Sequence, residues 1–151
     1  MRHLKLLGAL SALAILSAAL PSHASDHKLM TVFKSPWCGC CEIWTKAMVD
    51  AGFKVEIRDM EDLTPIKKQA GVSGELEACH TALLGDYVIE GHVPLQAVEK
   101  LLSEKQDVRG ISVPGMPGGS LGMGYDENAR YTVFAFGGSA SAPAPFYEAG
   151  K

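Results

Sequence analysis

The sequence lacks the features that mark nucleic-acid-binding proteins and multi-span membrane proteins. It carries 14 Lys and Arg residues against 17 Asp and Glu residues, without a basic stripe. Because there is no excess of positive charge, binding to a phosphate backbone is not expected. Internal repeats are absent. Beyond the first 24 residues, no apolar run approaches the roughly 20 residues that a bilayer span requires.

The first 24 residues read as a secretory signal peptide that is cleaved. Arg2 and Lys5 precede a short apolar run, and a small-x-small cleavage pattern ends at Ala24. Cleavage leaves 127 of the 151 residues, with 12 basic and 17 acidic side chains and a net charge of −5. We expect residues 25–138 to form one periplasmic domain without stable membrane insertion, and residues 139–151 to form a flexible tail.

The exported part alternates between strand and helix patterns. Strands are predicted over 28–33, 53–57, 81–84, 87–92 and 131–136, and helices around 43–51, 62–70 and 94–102. The order is therefore β-α-β-α-β-β-α, followed by a Gly/Pro/Met loop over 113–124 and one extra strand. An early βαβ unit followed by a hairpin and a closing helix predicts an α/β fold of the thioredoxin-like type.

All four cysteines lie in the exported part, at Cys38, Cys40, Cys41 and Cys79. Exported proteins usually use cysteines for structural disulfides. Three cysteines within four positions cannot all link distant loops, and adjacent cysteines pair only with strain. The clustering therefore indicates metal binding or thiol–disulfide redox chemistry more than cross-linking.

Two short segments resemble the active site of thioredoxins. The W-C-G-C-C run that begins at Trp37 resembles W-C-G-P-C, with Cys40 in place of the proline. Before the hairpin, His80 stands where thioredoxins keep a cis-proline, with Cys79 just before it. In that fold this loop faces the helix N-terminus that carries the cysteines, so we expect Cys79 to lie close to Cys38 and Cys41.

The cysteine pattern favours a soft metal ion. A helix N-terminus lowers the pKa of a cysteine, and several converging thiolates repel one another until a cation binds. Soft sulfur ligands select Cu(I), Zn(II) or iron–sulfur clusters. The compact C-x-C-C spacing differs from the separated knuckles of zinc sites. Cu(I), in a site that holds one or a few ions, is therefore the leading prediction, and zinc is the weaker one.

Four further residues are candidate ligands. His80 directly follows Cys79, and His92 ends a predicted strand, where a structural hydrogen bond is the plainer interpretation. Met116 and Met123 lie in the Gly/Pro-rich loop, and their thioethers are soft ligands that suit Cu(I) in an oxidising compartment. Flexible packing over the core is an equally good interpretation for these two methionines.

An enzyme is the alternative interpretation. In a thiol–disulfide oxidoreductase, Cys38 would attack as the exposed thiolate and Cys41 would resolve the mixed disulfide. Against this stands the missing proline before Thr81, and the extra Cys40 and Cys79 would trap unproductive disulfides. We therefore expect a metal-binding protein, with the oxidoreductase second.

Taken together, several segments resemble the bacterial CopG-type copper-resistance family. The matching segments span 38–41, 79–82, 87–94, 113–117 and 122–123. The resemblance implies a periplasmic thioredoxin-like domain that holds copper and contributes to copper tolerance, often beside an efflux system or a copper chaperone. It implies Cys38, Cys40, Cys41 and Cys79 as ligands. The pair Gly118–Gly119 departs from the family's pattern, but it lies in the loop, away from these cysteines.

Overall fold

A computed structural model describes residues 29–139 and 141–150. The strands are β1 Leu29–Lys34, β2 Lys54–Asp59, β3 His80–Leu84, β4 Tyr87–Glu90, β5 Gly110–Ser112, β6 Tyr131–Phe136 and β7 Ala144–Ala149. The helices are α1 Gly39–Asp50, α2 Thr64–Ala70 and α3 Leu95–Glu104, with a 3₁₀ turn at Gly74–Leu76. The α/β class and the order β-α-β-α-β-β-α are confirmed. The thioredoxin-like assignment stays a prediction from the sequence.

The seven strands form one mixed sheet in the order β2-β1-β3-β4-β5-β6-β7. β1 pairs in parallel with β2 and antiparallel with β3, and β3 and β4 form the predicted hairpin. The hairpin turns at Gly85, whose φ of +57° lies in the left-handed region that favours glycine. β5 joins β4 in parallel, and β6 and β7 extend the sheet antiparallel.

The core lies between the sheet and the buried faces of α1 and α3. Trp44 and Met48 of α1, Leu101 of α3 and Ile89 of β4 are all fully buried. On α1 the buried residues recur three and four positions apart, which is the period of one helix face. α1 is therefore fixed against the sheet, and so is its first turn, which carries Cys40 and Cys41.

The C-terminal segment 139–151, predicted as a flexible tail, instead contains β7, which pairs with β6. Phe146 and Tyr147 of this strand pack against the core. Pro145 is accommodated because β7 lies at the edge of the sheet, and the ladder register shifts between Val133 and Phe134, opposite this proline. The short strand β5 was also missed by the sequence prediction.

The predicted signal peptide over residues 1–24 lies outside the described residues, so its cleavage stays a prediction. Within 29–139 and 141–150, no helix has the length and hydropathy of a membrane span.

Candidate metal centre

The four cysteines meet because two strands lie side by side in opposite directions. β1 and β3 are antiparallel, with Lys34 opposite His80. The end of β1, which leads to Cys38, therefore lies beside the start of β3, which follows Cys79. Cys38 occupies the N-cap position of α1. The predicted proximity of Cys79 to the cysteines of α1 is confirmed.

The sulfur atoms form one compact group. The Sγ atoms of the four cysteines all lie within 4.8 Å of one another. Cys38 and Cys41 form a disulfide, while Cys40 and Cys79 are free. Cys38 Sγ lies 3.5 Å from Cys40 Sγ, and Cys41 Sγ lies 3.5 Å from Cys79 Sγ. Reduction of one disulfide would thus present four thiols around a single point.

His92 directs a ring nitrogen at this group. Its Nε2 lies 2.8 Å from Cys79 Sγ, and its Nδ1 lies 2.7 Å from the carbonyl oxygen of Leu121. A carbonyl oxygen only accepts, so Nδ1 carries a proton and Nε2 of the neutral ring presents its lone pair to the Cys79 sulfur. Burial lowers the pKa of His92, although the hydrogen bond to Leu121 opposes this shift. An imidazole oriented by a backbone carbonyl is typical of a metal ligand.

His80 lies beside the same sulfur but deeper in the protein. Its Nδ1 is 3.5 Å from Cys79 Sγ, and its buried Nε2 has no partner within the described part of the chain. The ring packs against Trp44, with centroids 4.5 Å apart, and meets the ring of His92 edge-on at 5.1 Å. Burial, assisted by His92 and Lys67, lowers the pKa of His80 to about 3. The imidazole is therefore neutral at physiological pH and has a lone pair available.

Cys79 is the residue that joins the sulfurs to the histidines. It belongs both to the four-cysteine group and to a second group with Cys41, His80 and His92. Burial, reinforced by the neighbouring Cys40, raises the pKa of Cys79 to about 12. Without a bound cation this residue is a thiol, and a metal ion would displace its proton.

The loop over 113–124 reaches the centre through its backbone. Leu121 supplies the carbonyl for His92, and Gly122 lies so close that an added Cβ would come within 2.7 Å of the Cys40 carbonyl oxygen. Met116 is 55% exposed and Met123 is half-buried. A role for either thioether as a ligand stays a prediction. No residue pattern predicts the role of the Leu121 carbonyl, since any residue type supplies a backbone carbonyl.

Comparisons with known proteins give a consistent picture. A family model described as "Protein of unknown function, DUF411" matches residues 76–123, which include Cys79, His80 and His92. A solved structure described as copper resistance protein copG, form 2, is 33% identical, with a TM-score of 0.73 over 80% of this chain and 96% of that one. Form 1 is 34% identical, with a TM-score of 0.72 over 80% and 95%. No curated protein sequence matches the chain.

Proposed function

The chain belongs to the family of the copper resistance protein CopG, and from that premise we propose that it binds Cu(I) in the periplasm and contributes to copper resistance. In this proposal copper is a cargo that the protein sequesters or passes on. Cys38, Cys40, Cys41 and Cys79 are the proposed ligands, with His92 and His80 as nitrogen donors beside them.

The observation that carries the proposal is the convergence of the four sulfur atoms within 4.8 Å of one another. Thiolates are the soft ligands that Cu(I) prefers, and closely spaced thiolates can bridge more than one ion. The nearby neutral imidazoles add donors without adding charge. This donor set fits Cu(I) better than a hard cation such as Mg²⁺ or Ca²⁺, which takes oxygen ligands.

The disulfide between Cys38 and Cys41 sets a condition on copper binding. Each sulfur of a disulfide has lost the thiolate character that a metal ligand needs. A dithiol reductant must therefore supply two electrons and two protons to the Cys38–Cys41 bond, and is itself oxidised to a disulfide, before all four sulfurs can bind copper. Protons then leave the thiols as the ion binds, so that binding strengthens as the pH rises.

Export and delivery complete the proposal. The signal-peptide pattern over residues 1–24 supports a periplasmic location. In that compartment we propose that copper passes between this protein and an efflux system or a periplasmic copper chaperone. Met116 and Met123 lie in the loop beside the centre and are proposed as accessory thioether ligands.

The test is a Cu(I) titration of the reduced, metal-free chain under anaerobic conditions, with a chromophoric chelator as competitor. We expect tight binding that is lost in C38S/C40S/C41S/C79S and retained, with at most weaker affinity, in M116L/M123L. Bound Cu(I) that is unchanged in the four-serine variant would contradict the proposal, as would the absence of any binding by the reduced wild type.

One observation favours a second candidate function. The disulfide joins Cys38 and Cys41 across two residues at the start of a helix, which is the arrangement of a thiol–disulfide oxidoreductase. In the reduced protein, the Cys38 thiolate would attack a substrate disulfide and Cys41 would then displace the substrate. The products are a reduced substrate and the Cys38–Cys41 disulfide. Sustained insulin reduction by the metal-free protein, with dithiothreitol as the reductant, would support this function.

A further inference from the structure

A buried ion pair lies directly behind the centre. Lys67 of α2 and Glu90 of β4 have side chains that are 7% and 0% exposed, and Lys67 Nζ lies 2.5 Å from Glu90 Oε1. It is the only ion pair of the described residues in which both side chains are buried. Burial of two charges carries a large desolvation cost, and such pairs often add no net stability. Stability alone therefore does not account for this pair.

Thr81 locks the orientation of the carboxylate. Its hydroxyl oxygen accepts a hydrogen bond from Lys67 Nζ at 3.2 Å and donates one to Glu90 Oε2 at 2.6 Å. Glu90 Oε1, which already accepts from Lys67, is thereby held in place to accept a second hydrogen bond, from the backbone N–H of Ala78 at 2.7 Å. The charged network thus ends on the Glu77–Ala78 peptide, one residue before Cys79.

The segment around Ala78 lies outside the strands and depends on such contacts. The Gly115 N–H donates to the Glu77 carbonyl at 2.9 Å, and the Gly91 N–H donates to the His80 carbonyl at 2.9 Å. Gly91 has a φ of +74°, and a Cβ there would overlap the Ala78 Cβ. The carboxylate of Glu90 is the one side-chain acceptor that holds the Ala78 N–H among the described residues.

We propose that Glu90, oriented by Lys67 and Thr81, is a positioning residue that fixes the Glu77–Ala78 peptide, one residue before Cys79, so that Cys79 Sγ faces the cysteines of α1. The consequence for copper rests on the proposed function, whereas the consequence for sulfur geometry does not. Without this acceptor, the segment that carries Cys79 moves and the 3.5 Å approach of Cys79 to Cys41 is lost.

Two double variants separate the hydrogen bond from the charge. K67M/E90L replaces the pair by apolar side chains, a change that cores commonly tolerate, and removes the acceptor for Ala78. K67M/E90Q also removes both charges but keeps an amide oxygen that can accept from the Ala78 N–H. K46M/D50L is the matched control, since it removes an exposed ion pair on α1.

The first readout needs no copper. In the full chain with C38S/C40S, only Cys41 and Cys79 remain to form a disulfide. Diamide drives this step by taking up the two electrons and two protons that the thiols release. We expect the Cys41–Cys79 disulfide to form at least about tenfold more slowly when K67M/E90L is added to C38S/C40S. With K67M/E90Q or K46M/D50L added instead, we expect a rate close to that of C38S/C40S alone. An unchanged rate in a folded K67M/E90L protein would overturn the proposal.

Hydrogen exchange of the wild type decides the case in which K67M/E90L fails to fold. The Ala78 amide is half-buried and outside the strands, yet we expect it to exchange as slowly as amides of β3. Exchange at the rate of an exposed loop would overturn the proposal.

The second readout is Cu(I) affinity in the chain with all four cysteines, followed by the thiolate-to-copper absorption band. We expect K67M/E90L to bind about 10-fold or more weakly, with a shifted band, and K67M/E90Q to recover both. If the wild type binds no copper but the diamide series behaves as described, the proposed function fails and the positioning role stands. If the wild type binds copper and K67M/E90L matches it in both readouts, the positioning role fails.

Discussion

Replacement of Gly122 by alanine should disrupt the centre although no ligand residue is replaced. Gly122 has a φ of +92°, and an added Cβ would lie 2.7 Å from the Cys40 carbonyl oxygen, 3.2 Å from His92 Nδ1 and 3.2 Å from the Trp44 backbone nitrogen. Two of these atoms belong to the backbone of α1, which is fixed against the core. We therefore expect the loop, rather than the helix, to move, and the Leu121 carbonyl to leave His92.

Two contributions set the magnitude. A left-handed φ costs a residue other than glycine about 1–2 kcal/mol. Insertion of a methyl group where there is no space costs about 1–3 kcal/mol. The expected loss in the free energy of unfolding is thus about 2–5 kcal/mol. Once Leu121 no longer orients the His92 ring, we expect Cu(I) affinity to fall by about 10- to 100-fold.

Two other glycines of the same loop serve as matched controls. Gly124 has a φ of +84° but open space at its Cβ position, and Gly118 has open space without a positive φ. Urea denaturation of the reduced, metal-free variants should give losses of about 1–2 kcal/mol for Gly124→Ala and about zero for Gly118→Ala. If the losses in the free energy of unfolding for Gly122→Ala and Gly124→Ala agree within about 0.5 kcal/mol, the close approach of Gly122 to Cys40 and His92 does not carry the effect, and the reasoning is refuted.

Three further predictions concern the thiols, pH and the core. Thiol titration in denaturant should find two reactive cysteines in the oxidised protein, Cys40 and Cys79, and four after reduction; four without reduction would exclude the disulfide. The metal-free protein should lose stability as the pH falls from 7 toward 4, because the pKa of His80 is lowered to about 3 and the unfolded chain takes up more protons. Urea midpoints at several pH values test this expectation, and His80→Gln should flatten the dependence. Trp44→Phe should cost about 2 kcal/mol in thermal or urea unfolding, since Trp44 Nε1 donates to the buried Val93 carbonyl at 2.9 Å; a loss below about 0.5 kcal/mol would contradict this account.

The sequence predicts the regular elements well where hydrophobic periodicity is strong. The strand predicted over 131–136 corresponds to β6, and the hairpin at Gly85 is confirmed. β5 escapes prediction because it has only three residues and its pairing partner β4 is distant in sequence. β7 escapes because Pro143 and Pro145 argue against a strand, but Pro143 lies just before β7 and the edge position with its register shift accommodates Pro145.

At the centre, the sequence predicts the candidate ligand residues better than the residues that hold them in position. The topology brings Cys79 to Cys41, and His80 and His92 both lie against Cys79 Sγ. Lys67 lies next to Lys68 on a short helix, where a solvent-exposed side chain is the ordinary expectation. Its side chain is instead buried against Glu90. Such pairings join elements that are far apart in the chain, so local composition carries no signal for them.

The decisive test of copper binding by the four cysteines is copper K-edge X-ray absorption on protein isolated from the periplasm of copper-treated cells. We expect a Cu(I) edge with sulfur as the dominant ligand, and loss of that signal in C38S/C40S/C41S/C79S. A centre with only nitrogen and oxygen ligands, or an isolated protein without copper, would contradict it.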